Sequence, residues 1–122
     1  MYDVRVDSES ETLYLTLDGK LSEEQMEAAR DDVVAELRDL PEGFDLINDI
    51  STFAPPSPEA AEPIKEAQEV ILDSGVHTVV RVVTEETSTV VRRAFERRSE
   101  DVGYEGETVG SVEEAEQLLG LD

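Results

Sequence analysis

The sequence predicts an α/β fold: a mostly parallel sheet of four to five strands with an antiparallel first edge strand, in the order ββαβαβαβα, across a single domain of residues 1–122. Three observations lead there. Apolar residues alternate with period two through the first twenty positions, apolar runs and helix-period segments then take turns, and a glycine, proline or capping residue marks most junctions. The length suits one hydrophobic centre rather than two.

Tyr2, Val4 and Val6 alternate with Asp3, Arg5 and Asp7, and Leu13, Leu15 and Leu17 alternate with Tyr14, Thr16 and Asp18. This predicts two half-buried strands joined as a hairpin through the polar stretch SESE. Gly19 ends the second strand. Ser22 followed by Gln25 is a capping box, and Met26, Ala29, Val33, Leu37 and Leu40 then recur at helical spacing until Pro41 and Gly43. FDLINDI, residues 44–50, is near-continuously apolar, as a strand in a covered sheet must be. Ala60, Ile64, Ala67 and Ile71 mark a second helix closed by Gly75, and the β-branched run HTVVRVV, residues 77–83, makes the fourth strand. A third helix fits 87–101, YEGETVG holds a short strand, and Ser111 with Glu114 opens a final helix. Strands alternating with helices imply right-handed crossovers between parallel neighbours.

Composition narrows the chemistry. Cysteine is absent and His77 is the sole histidine, which removes thiolate metal sites, imidazole clusters and cysteine nucleophiles. No metal and no cofactor is expected, since no glycine-rich phosphate loop or calcium-loop spacing occurs. The chain carries 31 acidic against 10 basic residues, a net charge of −21, with Lys20 and Lys65 its only lysines. Such a charge repels phosphate backbones, so nucleic acid is not an expected partner. It also self-repels where the Debye length is about 10 Å, near 0.1 M salt, and is screened where molar salt shortens that length to about 3 Å. An acidic excess with few lysines, on a chain patterned like a folded domain, resembles the composition of proteins from a salt-filled halophile cytoplasm. With no basic-then-apolar leader and no run of about 18 apolar residues, the expectation is a soluble cytoplasmic protein without stable membrane insertion.

LTLDGKLSEEQMEAARDDV, DLINDIST and VGSVEEAEQLL, in that order and spacing, resemble the STAS domain in its SpoIIAA-like branch, over nearly the whole chain. The first stretch is like that family's strand, glycine and first amphipathic helix, the second like its central strand ending in Asp-apolar-Ser, and the third like its last strand and helix. The resemblance implies a non-enzymatic regulatory domain that binds a protein partner, with a functional serine or threonine at the start of the helix after the central strand. Ser57 is the nearest match, although no Asp precedes it directly and no Gly follows it. The same strand–helix superhelix is shared in outline with lipid-binding domains, which implies the alternative of a small apolar ligand or lipid between sheet and helices.

Ser57 has two readings. Before Pro58 it is an N-cap followed by proline at the first helical position; as a modified residue it would place a phosphate at a helix N-terminus, where free amides and the dipole favour it. Pro63 would remove a backbone donor from a helix running from 57, so the regular helix can instead start at Pro63 behind Glu62, leaving Ser57 on a loop. Ser51 and Thr52, directly after the third strand, are then rival hydroxyls on the same surface. VVRRAFERR, residues 90–98, gathers four of the ten basic residues, and Arg92, Arg93 and Arg97 share one helical arc. Alongside simple i,i+4 pairing, that arc fits docking to an acidic partner or to a second copy of the chain, because guanidinium pairs carboxylates bidentately. Arg81, inside a valine-rich strand, is expected to be solvated on the less covered sheet face, and His77 to sit at the surface. No nucleophile–base–carboxylate set is marked, so no catalytic residue is assigned.

Overall fold

The computed structural model describes residues 2–54, 62–85, 87 and 106–121. Its elements are β1 (Tyr2–Asp7), β2 (Thr12–Lys20), α1 (Glu23–Leu37), β3 (Asp45–Ala54), α2 (Glu62–Asp73), β4 (Thr78–Val82), β5 (Gly106–Val109) and α3 (Val112–Leu118). The strands form one sheet in the order β1-β2-β3-β4-β5, with β1 antiparallel to β2 and every later pair parallel. From β2 to β4 the chain advances one strand at a time in one direction. A constant crossover hand then puts α1 and α2 on the same face.

Two apolar layers result. Leu13, Leu15, Leu17, Leu46, Ile50, Phe53 and Val79 meet Met26, Ala29, Val33 and Leu37 of α1 and Ile71 of α2 on one face. Tyr14, Ile47, Val80 and Val82 meet Ala115 of α3 on the other. The α1 stripe is the one its helical spacing predicts, and its capping box is complete: Gln25 N donates to Ser22 Oγ at 3.2 Å and Ser22 N donates to Gln25 Oε1 at 2.9 Å. The box on α3 is shifted. Ser111 Oγ accepts from Glu114 N at 3.1 Å, while Glu114 Oε2 accepts from Gly110 N rather than from Ser111 N.

Several expectations change. β2 is not a half-buried strand, because α3 covers its second face and Tyr14 is buried there with its hydroxyl donating to Glu116 Oε2 at 2.9 Å. The Arg5 guanidinium lies 3.8 Å from the centre of the Tyr14 ring. Leu40 falls beyond the end of α1 at Leu37 and packs against the core from the following turn. β3 runs past Ile50 to Ala54, so Ser51 and Thr52 lie within the strand and not after it. Arg81 is not solvated: it is 6% exposed. The room for it is made by Gly106 on the neighbouring strand, where an added Cβ would sit 2.6 Å from Arg81 Nη2. A side chain at position 106 would therefore push the end of the Arg81 guanidinium from the place it holds. Of the expected helix over 87–101 only Thr87 is among the described residues, and it lies in a bend.

Burial, with the Glu116 carboxylate beside it, pushes the Tyr14 phenol up to about 12 from its usual 10. A group whose folded pKa is raised stabilises the fold fully below its unfolded pKa and ceases to do so as pH climbs through the folded one. The stability margin of the wild type over Tyr14→Phe, measured by urea denaturation, should therefore hold steady below pH 10 and shrink between 10 and 12. A margin that grows over that interval would contradict the assignment.

Candidate functional site

β2, β3 and β4 are parallel, so their carboxyl ends converge on one edge of the sheet, the edge at which open α/β sheets present their sites. A β-bulge shapes that edge. Thr16 pairs with Asp49 and Asp18 with Thr52, so β3 advances three residues while β2 advances two. The extra residue switches the alternation of β3, which is why Ile50 and Phe53, an odd number of positions apart, both enter the same core.

A bulge takes a backbone amide out of the ladder, and the local sequence supplies its partner. Asp49 Oδ1 accepts from Ser51 N at 3.1 Å and from Ser51 Oγ at 2.7 Å. Thr52 Oγ1 donates to Asp18 Oδ1 on the adjacent strand. Thr87, buried beyond the end of β4, donates from Oγ1 to the Ser51 carbonyl at 2.9 Å and accepts from Thr84 N at 2.8 Å. The carboxyl edges of β2, β3 and β4 are thus joined through two carboxylates and three hydroxyls.

Of the residues marked in the sequence, the structure brings Ser51 and Thr52 together here, Ser51 half-buried and Thr52 exposed. Ser57, Arg92, Arg93 and Arg97 lie outside the described residues. α2 is described from Glu62, with Pro63 buried in it, and the choice between the two helix starts falls on residues outside the described ones. His77 is exposed, at the opposite edge, with Nδ1 3.3 Å from Asp45 Oδ1 and 3.0 Å from Thr78 Oγ1. Asp45 and Ser51 are separated along β3 by about 20 Å of extended chain. Ser51 therefore has a carboxylate, not an imidazole, as its hydrogen-bond acceptor, and the pair is built for holding a conformation. Among the described residues no cluster of His, Cys, Asp and Glu has the geometry to hold a metal ion.

Sequence reasoning missed Asp18, Asp49 and Thr87. Asp49 carried a legible signal, an Asp two residues before a Ser at the end of an apolar run, which is the spacing of a local side-chain turn. Asp18 and Thr87 act across 34 and 36 positions of chain, and nothing local announces them.

No family model matches the chain, and no curated protein matches it. Solved structures do. A protein of Shewanella loihica from the DUF3478 family, described as having a SpoIIAA-like fold, superposes with a TM-score of 0.66 at 16% identity, over 98% of this chain and 92% of its own. The anti-sigma factor antagonist SpoIIAA in its unphosphorylated form gives 0.67 at 13% identity, covering 98% of each chain. The Bacillus cell fate determinant SpoIIAA in its phosphorylated form gives 0.63 at 12%, over 97% of this chain and 99% of the other. The fold is therefore SpoIIAA-like.

If Asp49 is what secures the bulge, Asp49→Ala should cost about 1–3 kcal/mol, since it strands the Ser51 amide. Asp49→Asn, which keeps an acceptor oxygen in place, should cost clearly less. Urea denaturation of the two variants checks this; equal losses would assign the cost to something other than the acceptor.

Proposed function

We propose that this chain is a regulatory STAS-type domain, not an enzyme, which binds a protein partner through the carboxyl edge of its sheet. The observation that carries the reading is the bulged end of β3. It holds Ser51 and Thr52 in fixed positions beside Asp18 and Asp49, with neither hydroxyl in contact with a histidine. The SpoIIAA-like fold supports the reading as well, since two of its structural neighbours are an anti-sigma factor antagonist and a cell fate determinant, one of them in a phosphorylated form.

In this reading Ser51 and Thr52 shape the surface and do not accept phosphate. Each hydroxyl already donates to a carboxylate, and a phosphate there would set nearly two more negative charges against Asp49 or Asp18. Ser57 is the remaining regulatory hydroxyl, and its role is structural first. Arg92, Arg93 and Arg97 form the basic contribution to docking, toward an acidic partner or a second copy of the chain. The competing reading, an apolar ligand between sheet and helices, has less support, because the cavity between α1, α2 and the sheet measures about 20 Å³ against the roughly 300–1,000 Å³ of ordinary ligand sites.

The test is affinity capture from native lysate in molar KCl, with circular dichroism to verify each fold. Arg92→Glu combined with Arg93→Glu should abolish the captured complex, and Ser57→Ala and Ser57→Asp should retain it equally. Capture unchanged by the arginine reversal would remove the arc from the interface, and loss confined to Ser57→Asp would make that serine a phosphate switch.

We further propose that the acidic surface is an adaptation to a salt-filled cytoplasm. Thermal unfolding should then move to higher temperature between low and molar KCl, as screening relieves the repulsion of a net charge of −21. Equal melting temperatures in the two buffers would contradict that origin.

A further inference from the structure

The cavity between the sheet, α1 and α2 has walls that are mostly apolar, formed by residues such as Leu15, Met26, Val33, Leu46 and Ile71. A cavity lined only by such groups stays dry. This one is also lined by Asn48 of β3 and Gln68 of α2, which are 5% and 4% exposed. Asn48 Oδ1 and Gln68 Oε1 are both buried and, among the described residues, neither accepts a hydrogen bond. Two buried carbonyl oxygens on one small cavity call for two donors, because buried polar atoms are almost always satisfied. The cavity measures about 20 Å³, while one water needs about 10–15 Å³.

We infer that this cavity binds one internal water molecule, which donates one O–H to Asn48 Oδ1 and the other to Gln68 Oε1. The water ties α2 to β3 from inside. The helix that follows the segment containing Ser57 is thereby hydrogen-bonded to the strand that carries Ser51 and Thr52. Arg30 lines the same cavity and its Nη1 lies 3.2 Å from Glu66 Oε1 on α2, so an ion pair joins the two helices near the site from the outer side. The inference stands on Asn48, Gln68 and the cavity, and is independent of what partner the domain binds.

A crystal structure of the full chain at a resolution that shows ordered solvent tests it, together with the near-isosteric variant Gln68→Met. In the wild type a single density peak should lie within hydrogen-bond distance of both oxygens. In solution, cross-relaxation from water to the Asn48 side-chain amide protons should carry the sign of a long-lived bound water. Both signals should be lost in Gln68→Met, which removes one of the two acceptors and leaves the cavity's shape nearly unchanged. A wild-type cavity without a peak would overturn the inference, as would an Asn48 amide bonded directly to Gln68. Because the wild type alone gives those two results, a variant that fails to fold does not shield the inference.

Discussion

One additional residue in β3 sets the character of the carboxyl edge. Without it, strict alternation would carry Phe53 to the opposite face from Leu46 and Ile50, and the end of the strand could not close the α1/α2 core. With it, a backbone amide leaves the ladder and needs another acceptor. Asp49 provides one two residues away, so the same carboxylate that stabilises the irregularity also fixes the Ser51 hydroxyl. Packing on one side and polar display on the other come from a single local distortion.

The rest of the sheet is arranged to tolerate that distortion. β2 and β3 are covered by α1 and α2 on one face and, at Tyr14 and Ile47 in their first halves, by the α3 layer on the other, so the register ahead of the bulge is held by packing on both sides. The neighbouring strands supply polar partners across the edge, Asp18 to Thr52 and Thr87 to the Ser51 carbonyl. At the far edge the turns are plain connections: Gly43 N donates to Gly75 O at 2.8 Å, and both glycines have a positive φ that a side chain would strain. The far edge carries its own polar group, His77 between Asp45 and Thr78, but it is the bulged edge that joins three strands through hydroxyls and carboxylates, and that edge is the proposed docking surface.

Much of the fold was legible because its signals are local. The alternation of Tyr2, Val4 and Val6, the Ser22–Gln25 box and the stripe of Met26, Ala29, Val33 and Leu37 each need only a few neighbouring residues to be read. What was missed depends on distant chain. Tyr14 is buried because a helix nearly a hundred residues later covers it, and Arg81 is buried because Gly106 leaves space beside it. The bulge did leave a trace, two successive polar residues, Ser51 and Thr52, between the buried Ile50 and Phe53, but it goes unread when the strand is ended at Ile50. At the site itself, Ser51 and Thr52 could be marked from their place after an apolar run, whereas Asp18 could be recognised only once β2 and β3 were in register.

The measurement that reaches the central claim most directly is hydrogen exchange at the Ser51 amide. If Asp49 replaces the ladder partner that the bulge removes, this amide should be protected in the wild type, and its protection should collapse in Asp49→Ala while the Ile47 amide in the regular part of β3 keeps its own. A Ser51 amide that exchanges in the wild type at the rate of a free peptide would contradict the account.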